Sequence, residues 1–186
     1  IDNGGNLGFA GGNNTGLRFA LLQKDMTQVW LLNNDTLVEP DCLQEMRTRL
    51  ARHGGPAVCG SVIHFFEKPE VVQCIGGSML LPRGFLEGVG LMNEDYFLYY
   101  EEIDWFTRAA GRFDLLIASD ARLYHREGGS IGSRSLSCGP SLLSDLHMFR
   151  SRIAFMRRYY PEAVWKCIVY NWIDAVKRLV GGRWRN

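Results

Sequence analysis

The chain has 186 residues, 46% hydrophobic and 22% charged, an ordinary globular composition that excludes disorder and allows a sizeable core without disulfide or metal staples. Its five cysteines, odd in number and without a CxxC pair, suggest neither a disulfide framework nor a cysteine zinc site, and a reducing compartment is the simpler reading. The net charge of +1 conceals a split: residues 150–186 carry nine Lys/Arg against two Asp/Glu (+7), whereas residues 1–149 carry twelve against eighteen (−6), so the basic end is expected to meet a membrane or nucleic acid.

The opening IDNGGNLGFAGGNNTGL has no basic region leading into an apolar run, so no signal peptide is expected. From Asp2 to Leu17 it holds six glycines and four asparagines, then a helical pattern through Leu17, Ala20 and Leu21. A glycine-rich loop feeding a helix lets backbone N–H groups approach phosphates, but such a turn is more often a structural one, and no dinucleotide fingerprint or P-loop lysine is present. In TQVWLLNNDTLVEP the apolar run Val29 to Leu32 stops at Asn33, Asn34 and Asp35, which predicts a buried central strand opening into a loop where α/β sheets bind ligands. Asp35 alone could equally cap a turn. Pro40 and Asp41 then start a helix over Cys42 to Ala51, with Leu43, Met46 and Leu50 on one face.

PAVCGSVIHFF and DLLIASDARLYH read as further strands, the second ending at His125. Between them, NEDYFLYYEEIDW crowds five acidic side chains among aromatics, and Ile103, Phe106 and Ala110 have helical spacing over Phe97 to Ala110. Glu101, Glu102 and Asp104 thus fall near a helix's first turn, where the macrodipole favours negative charge. A Gly/Ser-rich stretch, HREGGSIGSRS, has the composition of a mobile lid. Beyond Arg150 the pattern is helical: Trp165, Ile168, Val169, Trp172, Val176 and Leu179 recur at helix spacing, with Lys177, Arg178, Arg183, Trp184 and Arg185 closing the chain. Such a helix suits a membrane interface or packing on the domain's own core. Lys166, Asp174, Lys177 and Arg178 interrupt the segment Ala163 to Val180, so no spanning helix is expected.

In order, these features resemble the inverting family 2 glycosyltransferases of the GT-A fold, in particular bacterial rhamnosyltransferase-like members. The matching stretches are NLGFAGGNNTGL, WLLNNDTLVEPDCL, GSMLLPRGFLEGVGLMNEDYFLYYEEIDW, DARLYHREGGSIGS and RSRIAFMRRYYP. The resemblance implies an α/β fold with a mostly parallel sheet flanked by helices, residues 1–149 forming the catalytic domain and 150–186 a basic extension of amphipathic helices. It implies that Asp2 contacts the nucleotide base, that Gly8, Phe9, Ala10, Gly11, Asn13 and Asn14 line the nucleotide pocket, and that Asn33 and Asn34 border it. Asp35 matches the metal motif and His125 a second ligand, for Mg²⁺ or Mn²⁺ bound with the donor diphosphate. Glu102 matches the general base, with Glu101 shaping the site or binding acceptor and Asp104 bracing the loop.

Asn33 stands where that family commonly has Asp, and Glu-Glu where it commonly has Glu-Asp. The abrupt junctions near Asn3 and Gly77 suggest absent segments. The function so implied is transfer of a sugar, plausibly rhamnose, from a nucleotide-diphosphate donor to a glycan or lipid-linked acceptor in cell-surface polysaccharide synthesis. No nucleic acid is expected as partner; the enzyme is expected in the cytoplasm, peripheral at the inner face of an anionic membrane. A sugar nucleotidyltransferase would need a basic, glycine-rich phosphate loop. A catalytically inert glycan- or nucleotide-binding module would show no donor turnover.

Overall fold

The computed structural model describes residues 1–65, 68–125 and 142–180, with the backbone alone described over 68–75. The expected lid at 126–135, Cys138 and the closing Arg183, Trp184 and Arg185 lie outside the described residues. The elements run α1 (Gly8–Leu22), β1 (Gln28–Leu32), β2 (Thr36–Val38), α2 (Cys42–His53), β3 (Ala57–Phe65), β4 (Lys68–Pro82), α3 (Arg83–Val89), α4 (Glu101–Ala109) and β5 (Asp114–His125). Then come α5 (Leu142–Tyr159), a 3-10 turn (Pro161–Ala163) and α6 (Val164–Val180).

Most of the expected glycine-rich loop is helix, since α1 begins at Gly8. It turns its small residues inward: Ala10, Gly11, Asn14 and Leu17 are buried. Helix α2 ends at Gly54, which takes the left-handed conformation at φ 72° that glycine adopts without a Cβ penalty.

The five strands lie in the order β1-β4-β3-β5-β2. The expected mostly parallel sheet is corrected here: among the described strands only β3 and β5 pair in parallel, whereas β1/β4, β4/β3 and β5/β2 are antiparallel. The cause lies in the connections. Only residues 66 and 67 separate β3 from β4, and a link so short reverses the chain into a neighbouring antiparallel strand. Strand β1 is also not central: it pairs with β4 alone among the described strands, and its side chains are only partly covered. At the suspected junction near Gly77 the chain runs on as one strand, β4.

Period-2 alternation divides the core between the sheet's two faces. Val58, Met79 and Leu81 face one side with Ala10, Leu17, Phe85 and Trp105 from α1, α3 and α4; Ala57, Cys59, Leu80 and Leu116 face the other with Cys42 and Met46 of α2. The 149/150 boundary falls inside the continuous helix α5. Helix α6 packs on α5 through polar groups: Asn171 accepts from Arg152 at 2.6 Å and donates to the Phe149 carbonyl at 3.3 Å, and Arg178 pairs with Asp145. Its apolar residues point outward, with Trp165 61% and Trp172 69% exposed. Among the described residues no helix is long and apolar enough to cross a membrane.

Candidate functional site

Two loops meet at the start of α1. The Phe9 amide donates to the Phe97 carbonyl at 2.9 Å, and a Cβ added to Gly8, whose φ is 72°, would lie 2.2 Å from that carbonyl oxygen. Glycine is therefore required at position 8 by both backbone angle and space. The turn ahead of it is held by its own side chains: Asp2 Oδ1 accepts from the Gly4 amide at 2.8 Å and Asn6 Oδ1 from the Gly8 amide at 2.9 Å. Asp2 is exposed, Asn13 donates back to the Phe9 carbonyl at 2.8 Å, and Ala10 and Gly11 are buried. Asn14 is 1% exposed; its amide donates to the Met92 carbonyl and Glu94, and its oxygen accepts from the Met92 amide. It brackets the chain leading to the acidic segment rather than facing open space.

That segment contains the carboxylate pair. Tyr99 and Tyr100 have φ of 67° and 71°, and α4 begins directly after them with Glu101 and Glu102. Two consecutive aromatic residues in the left-handed region are strained, and such strain concentrates at functional sites. Glu101 is 4% exposed and its Oε2 has no hydrogen-bond partner, whereas Glu102 is partly exposed. Burial pushes both carboxyls from 4.5 up to about 7; for Glu101 the nearby Glu102 charge adds to it and its own backbone amide opposes it. Desolvation thus outweighs the helix N-terminus, and both groups are poised to exchange protons near neutrality.

Asp104, fully buried, braces the segment. It accepts from Arg108 at 2.8 Å and from the Tyr159 hydroxyl at 2.7 Å, while the Arg108 guanidinium also bonds the Val89 and Leu91 carbonyls. This pairing offsets the cost of burying the charge.

The third group gathers where β1 ends. Asp35 Oδ1 lies 2.9 Å from His125 Nε2, and the Asn33 side-chain amide lies 3.3 Å from the same nitrogen. The strand pairing explains the convergence, because Thr36 opposes His125 in the β2/β5 ladder and the Asn33 amide bonds the Gly77 carbonyl at 3.0 Å. Asn34 is exposed beside them. The Asp35 carboxylate and the His125 imidazole are donors that suit a divalent cation, Mn²⁺ better than Mg²⁺ because of the imidazole, whereas Asn33 turns its amide nitrogen, which is no metal ligand, toward the ring. Among the described residues no three His, Cys, Asp or Glu converge, so a diphosphate and water would complete the coordination. Nor, among those residues, does any hydrogen bond or ion pair join this group to Glu101 or Glu102.

A cavity of about 320 Å³ lies where the glycine turn, the acidic segment and α5 meet, lined by Asn6, Gly8, Phe9, Phe97, Leu98, Leu143 and His147. A larger hollow of about 960 Å³ lies between α2 and the Pro56 and Phe113 chain, but it holds none of the predicted site residues, so the chemistry favours the smaller one. Sequence reasoning assigned no role to Ser144, His147, Ser151 or Arg152. Its one signal was the stretch RSRIAFMRRYYP, which contains Ser151 and Arg152.

The structure thus sets a strand-end carboxylate beside an imidazole, and a glycine turn against a carboxylate pair, on a layered α/β sheet. Residues 1–75 match the family model described as "Glycosyl transferase family 2", a stretch that includes the glycine turn and Asp35 but ends before Glu101, Glu102 and His125. The chain is also 29% identical, over 141 residues, to the low-salt glycan biosynthesis hexosyltransferase Agl10 of Haloferax volcanii. That alignment covers 59% of this chain and 45% of the relative, so the chain spans less than half the relative's length. The first 75 residues are thus similar to family 2 glycosyltransferases, and the chain is similar in part to a hexosyltransferase of glycan biosynthesis.

Proposed function

We propose that the chain is a catalytic part of an inverting GT-A glycosyltransferase that moves a hexose, with rhamnose the leading candidate, from a nucleotide-diphosphate donor to a glycan or lipid-linked acceptor. One observation carries the reading: two carboxyls held near pKa 7 stand on a strained segment bonded directly to the glycine turn at Phe9 and Phe97. In a single displacement the acceptor hydroxyl oxygen attacks the anomeric carbon from the face opposite the diphosphate. The bond to the diphosphate oxygen breaks and that oxygen keeps the electron pair. Glu102, the more accessible carboxylate, takes the hydroxyl proton. Glu101 holds the other side of the site, and the buried Asp104 network keeps α4 in place.

Asp35 and His125 would hold a divalent cation, whose chemistry is to offset negative charge on the leaving diphosphate. The turn from Asp2 to Leu7 and the start of α1 to Asn13 would receive the nucleotide, with the exposed Asp2 carboxylate suited to contact a base. The outward apolar face of α6 and the basic balance of residues 150–186 support a seat on the cytoplasmic leaflet of an anionic membrane, where a lipid-linked acceptor is found.

The test is a panel of nucleotide-diphosphate sugars, including deoxyhexose donors, offered with glycan and lipid-linked acceptors and Mn²⁺ or Mg²⁺. Transfer with inverted anomeric configuration by NMR is the expected outcome. Donor binding without either transfer or hydrolysis would make the chain an inert binding module. Full transfer in excess chelator would remove the cation from the mechanism and leave Asp35 as a hydrogen-bonding residue of His125.

A further inference from the structure

The strained segment does not hold itself. Helix α5 meets it with one stripe of side chains. His147 stacks on Phe97 with ring centroids 4.7 Å apart, Ser144 and Tyr99 share a hydroxyl bond of 2.5 Å, and Ser151 donates to the Leu98 carbonyl at 2.8 Å. Arg152 Nε donates to the Tyr100 hydroxyl at 3.3 Å, the Phe155 ring lies 5.4 Å from that of Tyr100, and Tyr159 donates to Asp104 at 2.7 Å. Spacings of three, four and seven residues put these on one face of the helix.

The stripe's composition is informative. Ser144 and Ser151 are 3% and 4% exposed, and a buried serine contributes little apolar contact. Their value is directional: a hydrogen bond to a carbonyl or hydroxyl fixes orientation, where an apolar contact permits sliding. Tyr99 and Tyr100 hold positive φ only where their surroundings over-determine it, and the stripe bonds Leu98, Tyr99 and Tyr100 in succession. Arg152 is itself fixed, bonded to Asn171 at 2.6 Å and stacked 4.9 Å from the Tyr170 ring, so α6 stands behind the contact.

We infer that this polar stripe of α5 is a splint for the catalytic segment, and that Ser151 and Arg152 are positioning residues that set the direction of Glu101 and Glu102. The inference rests on the reading of those carboxylates as the reacting pair. Loosening the splint lets the Tyr99–Tyr100 backbone relax toward ordinary angles, turns the first turn of α4, and admits water to carboxyls that burial now keeps near pKa 7.

The experiment compares wild type with Ser151→Ala, Arg152→Met and the conservative Arg152→Lys by amide hydrogen exchange and, on the same proteins, transfer kinetics against pH. In Ser151→Ala and Arg152→Met, exchange over residues 98–104 should quicken by about tenfold or more with β3 and β5 unchanged. Turnover should fall by about tenfold or more while donor KM stays within about threefold, and the acid limb of the kcat profile should move to lower pH. Arg152→Lys, which keeps a donor, should fall between and serves if Arg152→Met does not fold. Unchanged exchange over 98–104 overturns the splint, as does an increase shared by β3 and β5, which would make the stripe a prop for the whole fold. Local quickening in the variants, where the wild-type chain itself transfers no sugar, upholds the splint and overturns the reading of the reaction.

Discussion

At the scale of single residues, Glu101 and Glu102 share a shifted pKa but differ in surroundings, and the difference separates their expected behaviour. Glu102 is accessible enough to meet an acceptor, so Glu102→Gln, which keeps shape but cannot take a proton, should lower turnover by about two to four orders of magnitude with donor KM little changed. Since the base must be ionised, wild-type kcat should rise with pH through about 7. Near-normal turnover in Glu102→Gln, with Glu101→Gln inactive, would exchange their roles. Glu101 has an unpartnered Oε2 and a folded-state pKa raised from 4.5 to about 7, so it holds its proton more tightly folded than unfolded. Stability is therefore lost as pH rises from about 4.5 through about 7, where ionisation in the folded state becomes unavoidable. Glu101→Gln removes that penalty. Its melting temperature should exceed wild type at pH 8 and match it near pH 4, and an equal offset at both pH values would trace the change to packing instead.

Among the elements, α1 shows how glycines close in sequence do different work. Gly8 has positive φ and no room for a Cβ against Phe97; Gly12 lies mid-helix with nothing within 4 Å of the added carbon. Gly8→Ala should cost about 2–4 kcal/mol in denaturant unfolding, a strained angle and a backbone clash together. Gly12→Ala should stabilise by about 0.5–1 kcal/mol through helix propensity. Equal effects at the two positions would mean the crossing of the glycine turn over Phe97 is not present in solution. The sequence pattern marked this stretch as a loop because glycine composition reads as loop, while the inward faces of α1 that make it a helix are small residues with little apolar signal. A similar limit applies to α4. Its apolar spacing pointed to Ile103, Phe106 and Ala110, yet Ile103 is 50% exposed, and the buried face carries Glu101, Asp104 and Trp105. Carboxylates go inward there because Arg108 and Tyr159 satisfy one and burial raises the pKa of the other to about 7, information that no local periodicity contains. By contrast β3 and β5, apolar runs ended by turn formers or a polar end, were legible, as was the order of motifs that brings Asp35 to His125. Strand pairing was not, because the position of β1 depends on β4, far along the chain.

For the whole molecule, the charge split and the last two helices act together. Helix α6 is amphipathic in the reverse of the usual sense: Asn171, Asp174 and Arg178 face α5, while Trp165, Ile168, Val169, Trp172, Val176 and Leu179 face outward. A helix packing on its own core would bury that apolar stripe. The stripe was visible in the sequence, but its direction was not, since only the partners of Asn171 and Arg178 on α5 reveal which face is turned in. An outward stripe flanked by Lys166 and Lys177, in a segment of balance +7, matches an anionic lipid surface, where each engaged Lys or Arg contributes about 1 kcal/mol. Three or four such contacts, with tryptophans at the acyl boundary, would hold the protein reversibly and bring a lipid-linked acceptor toward the carboxylate segment. Wild type and a Trp165→Gln, Trp172→Gln, Val176→Gln variant, all exposed positions whose change spares the packing on α5, should therefore differ in vesicle co-sedimentation. Wild type should pellet with anionic vesicles more than neutral ones and release as salt rises, because screening acts over about 8 Å at physiological ionic strength. The variant should remain in the supernatant with an unchanged melting temperature, and equal pelleting of the two proteins, or indifference to lipid charge and salt, would leave α6 without a membrane role.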